Sequence, residues 1–351
     1  MTAPRRYTAL PCPALEEKLD AALADLAREI DALQQPKLAA VVLGGGYGRG
    51  EGGILRTPTG DRLYNDLDFF VFAQNATRDE RVQIDQALAS LAPKWSEKLQ
   101  VSVDFGPTKN LADLPKVART LMYQELLRGW KPVWGKIDLS SHLPALSADE
   151  LPVTEAIRLL LNRGMGLLLA GEHLAANSDE QDFIARNMHK ALLGCGDALL
   201  LANGRYAWSA AERLAAIQNL ALQQNFPRDF VKGYESAFRY KQEPTPQLPD
   251  DPWEFWHRCR HLWLWTVQTV AGQADSDANL VRIGLHRTAI AECSLRNFLR
   301  WTLRARRLRP PRIAFDAPVV TLLGMLYTEL LPEATAYPVP TNLLRLWQFF
   351  N

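Results

Sequence analysis

The chain is poor in the residues that make covalent or metal staples. Its four cysteines, Cys12, Cys195, Cys259 and Cys293, are scattered along 351 residues. No pair has CxxC or zinc-ligand spacing, which argues against a disulfide framework. His173, His189 and His257 also lack ligand spacing with other His or Cys, so a zinc centre is not expected. There is no run of about 18 apolar residues and no leader-like N-terminal pattern. The expectation is a soluble cytoplasmic protein with no membrane contact. Net charge is only +1, which removes the whole-protein attraction used by many nucleic-acid binders. No repeat at a fixed period is evident.

What is present is globular. Hydrophobic residues make up 47% and charged residues 23%, a balance that can bury real cores. The length suits two or three domains. Leu15, Leu19, Leu23, Leu26, Ile30 and Leu33 recur at steps of three and four, predicting an amphipathic helix that ends before Pro36. Leu38 to Leu43 is an apolar run and reads as a buried strand. Tyr64 to Phe72 reads as a second strand, apolar on both faces in its later part. Arg78 to Leu99 is helical with a break at Pro93. Gln100 to Phe105 alternates and predicts a third strand, with Val101, Val103 and Phe105 on one face and Ser102 and Asp104 on the other. Val117 to Arg128 is helical, and Pro132 to Gly135 is a short closing strand. This order predicts an α/β (α+β) core with a mixed sheet over residues 1–140.

The second half predicts an all-α domain over 150–351. Helices are expected over Glu155–Ala170, Gln181–Leu201, Ser209–Gln224, Trp253–Ala271, Leu280–Leu308, Val319–Leu331 and Thr341–Phe350. Ser209 before Glu212 has the form of a capping box. Pro244, Pro246, Pro249 and Pro252 mark a sub-boundary or linker over 241–252.

The chemistry concentrates in two stretches. One is glycine-dense, Gly44-Gly45-Gly46-Tyr47-Gly48-Arg49-Gly50-Glu51-Gly52-Gly53, and its backbone N–H groups suit an anion. The other is Asp66-Leu67-Asp68 at the start of the second strand. Side chains two apart on a strand share a face, about 7 Å apart. At roughly 4 Å and an effective dielectric near 20, two such carboxylates repel by about 4 kcal/mol. A hard divalent cation with oxygen ligands removes that repulsion. Asp104 adds a third carboxylate. If its strand pairs with that of Asp66, all three can converge on two cations about 3.5–4 Å apart.

Other readings of the glycines compete with this one. Gly48-x-Gly50-x-x-Gly53 fits GxGxxG, but a dinucleotide site needs a helix straight after it, and a strand follows here. No Gly-Lys-Ser/Thr makes a Walker loop, and no VAIK, HRD or DFG makes a kinase. The plainest alternative is a glycine loop with two turn or capping aspartates.

These residues together resemble the polymerase-beta-like nucleotidyltransferase superfamily. Gly45-Gly46 with Arg49-Gly50-Glu51, then Asp66-x-Asp68, then Asp104 follow that family's order over roughly residues 14 to 138. The gap from Gly46 to Asp66 is longer than the family's, the extra residues including a turn at Pro58-Thr59-Gly60-Asp61. The resemblance implies that Gly45 and Gly46 hold a nucleoside triphosphate, ATP as substrate. It implies two Mg²⁺ (or Mn²⁺) ions on Asp66, Asp68 and Asp104, with Asp104 helping to deprotonate an acceptor hydroxyl. Arg49 would reach a phosphate, and Glu51 would orient the loop or a metal-bound water. In the helical half, Asn187, Lys190, Gly194 and Asp197 share a helix face. There the resemblance makes Lys190 a phosphate contact and Asp197 an acceptor or base contact, against the bland alternative of solvated charges. Tyr206 and Trp208 could stack on a base, and Asn162 and Arg163 could line the same cleft.

Arg296, Arg300, Arg304 and Arg307, with Arg306, Arg309 and Arg312, form a basic stripe. It reads either as a phosphate contact or as cations suited to a helix C-terminus. Trp253, Trp256 and Trp263 read as core. The implied reaction moves AMP from ATP to a small molecule or protein, favoured over RNA. Two alternatives stay open: a non-catalytic nucleotide-binding regulatory or antitoxin module, and an RNA-end-modifying enzyme.

Overall fold

A computed structural model of the protein describes residues 7–297, 299, 317–332 and 338–350. The expected helix end at Leu308, Phe298 and most of the arginine stripe (Arg300, Arg304, Arg306, Arg307, Arg309 and Arg312) lie outside the described residues. The chain divides into two compact units. One comprises Met1–Ser147 with Arg239–Thr245, the other Ala148–Phe238 with Pro246–Asn351.

The first unit is built on a mixed five-stranded sheet. Helix α1 (Pro13–Ala32) leads into β1 (Leu38–Leu43), which runs into the four-residue helix α2 (Gly45–Gly48). A small hairpin follows, β2 (Ile54–Leu55) with β3 (Arg62–Leu63). Then come β4 (Leu67–Ala73), α3 (Arg78–Ala89), α4 (Ala92–Leu99), β5 (Val103–Phe105) and β6 (Lys109–Asn110). A 3-10 helix (Leu111–Val117), α5 (Leu121–Arg128) and β7 (Lys131–Gly135) complete it. The strand order is β5-β4-β1-β7, with β6 also on β4. β1 runs antiparallel to β4 and β7, while β4 runs parallel to β5.

The central strands are apolar on both faces because both faces are covered. Val41, Leu43, Leu67, Phe69 and Val71 pack with Leu19, Leu26, Ile84 and Trp95 from the helices on one side. Ala40, Val42 and Phe72 pack with Leu114, Tyr123 and Leu126 on the other.

Several expected boundaries move. The break in the Arg78–Leu99 helix falls at Ser90 and Leu91, and Pro93 sits in the first turn of α4, where a missing N–H costs nothing. The third strand shrinks to Val103–Phe105, because Gln100 is left-handed (φ 58°) and caps α4. The expected helix from Val117 begins at Leu121, after the 3-10 helix. The second strand starts at Leu67 rather than Tyr64, so Asp66 lies one residue outside it.

The second unit is helical among the described residues. It contains α6 (Val153–Ala175), α7 (Gln181–Ala202), α8 (Ala210–Gln223), α9 (Phe230–Gln242), α10 (Pro252–Val270) and α11 (Ala278–Thr288). Helices Pro318–Glu329 and Thr341–Phe350 follow. The capping box of α8 forms, Ser209 accepting from Glu212 N and Glu212 from Ser209 N. Helix α9 is an element the sequence reading lacked, and its last residues belong to the first unit's segment Arg239–Thr245. The aromatic helix α10 is anchored by Trp256 Nε1 donating to Leu167 O (2.8 Å) and Trp263 Nε1 to Leu160 O (3.0 Å). Both indoles are fully buried, whereas Trp253 is exposed. No helix among the described residues is long and apolar enough to cross a membrane.

Candidate active site

The parallel pairing of β4 with β5 brings Asp68 opposite Asp104. Parallel neighbours in register point the same way, about 5 Å apart. Leu67, Phe69 and Val103 are buried on the opposite face, and Phe69 stacks on Phe105 with centroids 5.0 Å apart. Alternation therefore turns both carboxylates outward, and both are exposed. The Ser102 hydroxyl donates to Asp104 Oδ2 at 2.8 Å and fixes that carboxylate.

Asp66 behaves differently from the expectation of a shared strand face. It precedes the strand, so the alternation that aligns Asp68 with Asp104 does not govern it. Its charge is felt at Tyr47, whose hydroxyl pKa is pushed up to about 12, chiefly by burial. No group of three or more His, Cys, Asp or Glu side chains among the described residues is gathered in metal-ligating geometry. The carboxylates form an in-register pair with a third one residue before the strand.

The glycine stretch is a tight helical turn packed on Asp68. Gly44 N donates to Asp68 O at 2.8 Å, tying the turn to the strand. Gly45 has φ 60°, and a Cβ there would fall 2.3 Å from Asp68 Oδ2. The left-handed φ favours glycine at 45, and a larger residue there would also have to turn the Asp68 carboxylate aside. At Gly46 a Cβ would find only ordinary contacts, 3.6 Å from Glu51 O. The turn closes through Gly48 N to Gly44 O (2.8 Å) and Glu51 N to Gly46 O (2.8 Å). Its far end is clamped by a short parallel bridge: Gly52 N donates to Tyr7 O and Ala9 N to Gly52 O.

Arg49 and Glu51 are engaged with other side chains. Arg49 Nη1 lies 3.1 Å from Glu125 Oε2, and Arg49 Nε 3.4 Å from Glu51 Oε2. Glu51 Oε2 also receives Lys241 Nζ at 2.9 Å. Glu125 and Lys241 were not singled out from the sequence. Lys241 is separated from Glu51 by 190 residues, so no local pattern marks it.

Lys190 and Asp197 belong to the second unit. Asp197 Oδ1 accepts from the Tyr234 hydroxyl (2.7 Å) and lies 3.2 Å from Arg213 Nε. Burial, then the charge of Asp197, pushes the Tyr234 pKa far up, so that hydroxyl stays a donor. Lys190 is half-buried on α7. Its expected companions serve helix packing. A Cβ at Gly194 would meet Arg163 Cγ at 2.4 Å, and one at Gly166 would meet Asn187 Oδ1 at 2.3 Å. Asn162 Oδ1 accepts from Trp347 Nε1 at 3.0 Å. Tyr206 is buried under the Arg213 guanidinium, 5.0 Å from its ring centroid, which occupies a face a base would need.

No family model matches the sequence, and no curated protein matches it. Among solved structures the chain is similar to a spectinomycin adenyltransferase from Enterococcus faecialis, crystallised with ATP and spectinomycin. The match covers 70% of this chain and 98% of that one, at 11% identity and a TM-score of 0.41.

Proposed function

We propose that the chain is a metal-dependent nucleotidyltransferase that moves AMP from ATP to an acceptor hydroxyl on a small molecule or a protein. The observation that carries this reading is the in-register pair Asp68 and Asp104, with Asp68 packed against the turn at Gly45. Two exposed carboxylates about 5 Å apart repel by about 3 kcal/mol at an effective dielectric of 20. Their all-oxygen donor set fits a hard divalent cation such as Mg²⁺ or Mn²⁺. Asp68 and Asp104 would hold it from their shared face, with Asp66, one residue before the strand, the proposed third ligand. Such a cation, when bound, neutralises charge developing on phosphoryl oxygens.

The remaining work falls to the chain. The first N–H groups of α2 have no intrahelical partner, and Gly45 and Gly46 present no side chains to keep a triphosphate from the backbone. Arg49 and Glu51 order that turn. Within the second unit, Asp197 holds Arg213 and Tyr234 in place. The acceptor oxygen attacks the α-phosphorus in line, and the bond from that phosphorus to the β-bridging oxygen breaks. Pyrophosphate leaves with the electron pair. The acceptor proton passes to Asp104, whose other oxygen the Ser102 hydroxyl holds.

The test uses ATP labelled at the α-phosphate, Mg²⁺, and a panel of polyhydroxyl compounds and proteins. Expected are pyrophosphate release and label transfer, both lost on chelation and at least a hundredfold lower in Asp68→Ala and Asp104→Ala. ATP binding by calorimetry without transfer to any acceptor would favour a nucleotide-binding module instead. Undiminished turnover in Asp68→Ala would overturn the assigned roles.

A further inference from the structure

Within 44–53 every residue but Tyr47, Arg49 and Glu51 is glycine. Glycine gives up the most backbone freedom on ordering, so such a stretch depends on the few side chains it has. All three are tied down. The Tyr47 hydroxyl donates to Gly53 O (2.7 Å) and accepts from Tyr64 N (2.9 Å). Arg49 is held by Glu125, and Glu51 by Lys241. The four charged side chains are between 13% and 19% exposed, so solvent screens them little.

Lys241 comes with further contacts from its own segment. The Tyr240 and Tyr64 hydroxyls share a hydrogen bond of 2.8 Å, and Arg56 Nε lies 3.2 Å from Glu243 Oε1. The backbone also approaches: a Cβ at Gly53 would fall 2.7 Å from Lys241 O.

We infer that Lys241 is a positioning residue, which holds the glycine turn in its nucleotide-receiving conformation through Glu51 and Arg49. The ordering itself is a property of the apo protein; only its purpose rests on the function proposed above. Removing the ammonium takes one cation from Glu51 and releases Arg49 to swing toward it. The turn then loses one of its three side-chain anchors, while the strands beneath keep theirs.

The experiment is amide hydrogen exchange on the full chain, paired with MgATP titration. In Lys241→Met, amides of 44–53 are expected to exchange at least tenfold faster, with Val41 and Val42 unchanged. Lys241→Arg should restore most of the protection, and the MgATP Kd should rise at least fivefold in Lys241→Met alone. Glu125→Gln loosens the opposite end of the same chain of charges and carries the same prediction should Lys241→Met not fold. Unchanged exchange over 44–53, or a rise spread evenly through the first unit, would overturn the inference. Failure of the wild-type chain to bind MgATP would sink the nucleotide reading, and the exchange data would still decide the brace.

Discussion

The carboxylate of Asp68 fills the space that a Cβ on Gly45 would take, with Oδ2 2.3 Å from that position. The glycine turn and the acidic strand are thus one packed object. Gly45→Ala must either displace Asp68 or shift the turn, and at φ 60° it carries backbone strain of about 1 kcal/mol besides. We expect at least a tenfold loss of MgATP affinity in Gly45→Ala. Gly46→Ala, whose Cβ meets only ordinary contacts within the turn, should leave the turn intact and lose affinity only through the Cβ it presents to the triphosphate. Calorimetry on both variants checks the contrast.

Tyr47 makes a second prediction. Its ring is fully buried against Gly52, where a Cβ would fall 2.1 Å from it. Tyr47→Phe keeps the ring and removes the hydroxyl that serves Gly53 O and Tyr64 N. A buried backbone group left unpaired costs about 1–3 kcal/mol. Urea unfolding should show a loss of about 2 kcal/mol with an unchanged m-value.

The order of elements in the first unit was legible because its signals are local. The periodic leucines of α1, the apolar run of β1 and the alternation around Asp104 each follow from a few neighbouring residues. The sequence left open only that the strand of Asp104 might pair with that of Asp66 and Asp68; the parallel direction and the register of Asp68 with Asp104 come from the structure. The position of Asp66 was not legible, since whether the strand begins at Tyr64 or Leu67 depends on what Tyr47 binds. Helix α9 was missed although Phe230, Tyr234, Ala237 and Tyr240 step by four, three and three and are all buried. Pro244, Pro246, Pro249 and Pro252 directly after it signal a linker more strongly than this period signals a helix. Its final turn carries Lys241, whose partner Glu51 is 190 positions away, and no sequence period reports such a pair.

Asp197 and Arg213 supply a stability prediction. Arg213 is only 4% exposed and Asp197 17%, so deleting the carboxylate leaves a desolvated guanidinium. Breaking a buried pair from one side costs about 3 kcal/mol. For a unit of this size that corresponds to a Tm lower by about 10 °C. Asp197→Ala should show it, and Asp197→Ala with Arg213→Met should recover part of it. A double-mutant cycle read by thermal melting checks the coupling, and additive losses would contradict it.

His189 supplies the pH dependence. Burial, then the charge of Arg258, lowers its pKa from 6.5 to about 4. Its ring packs on Phe255 with centroids 5.1 Å apart. The unfolded chain therefore takes up a proton at this residue below pH 6.5, while the folded chain stays neutral until about pH 4. Its contribution is fully present above the unfolded value and is lost as pH falls through that window. At pH 5 the linkage amounts to about 2 kcal/mol, since each tenfold difference in proton affinity between the folded and unfolded chains is worth about 1.4 kcal/mol. His189→Gln fills similar space and does not titrate. Between pH 7 and pH 5 the wild-type chain should lose about 2 kcal/mol more stability than this variant in urea unfolding. Parallel losses in the two proteins would mean that the imidazole is protonated in the folded state.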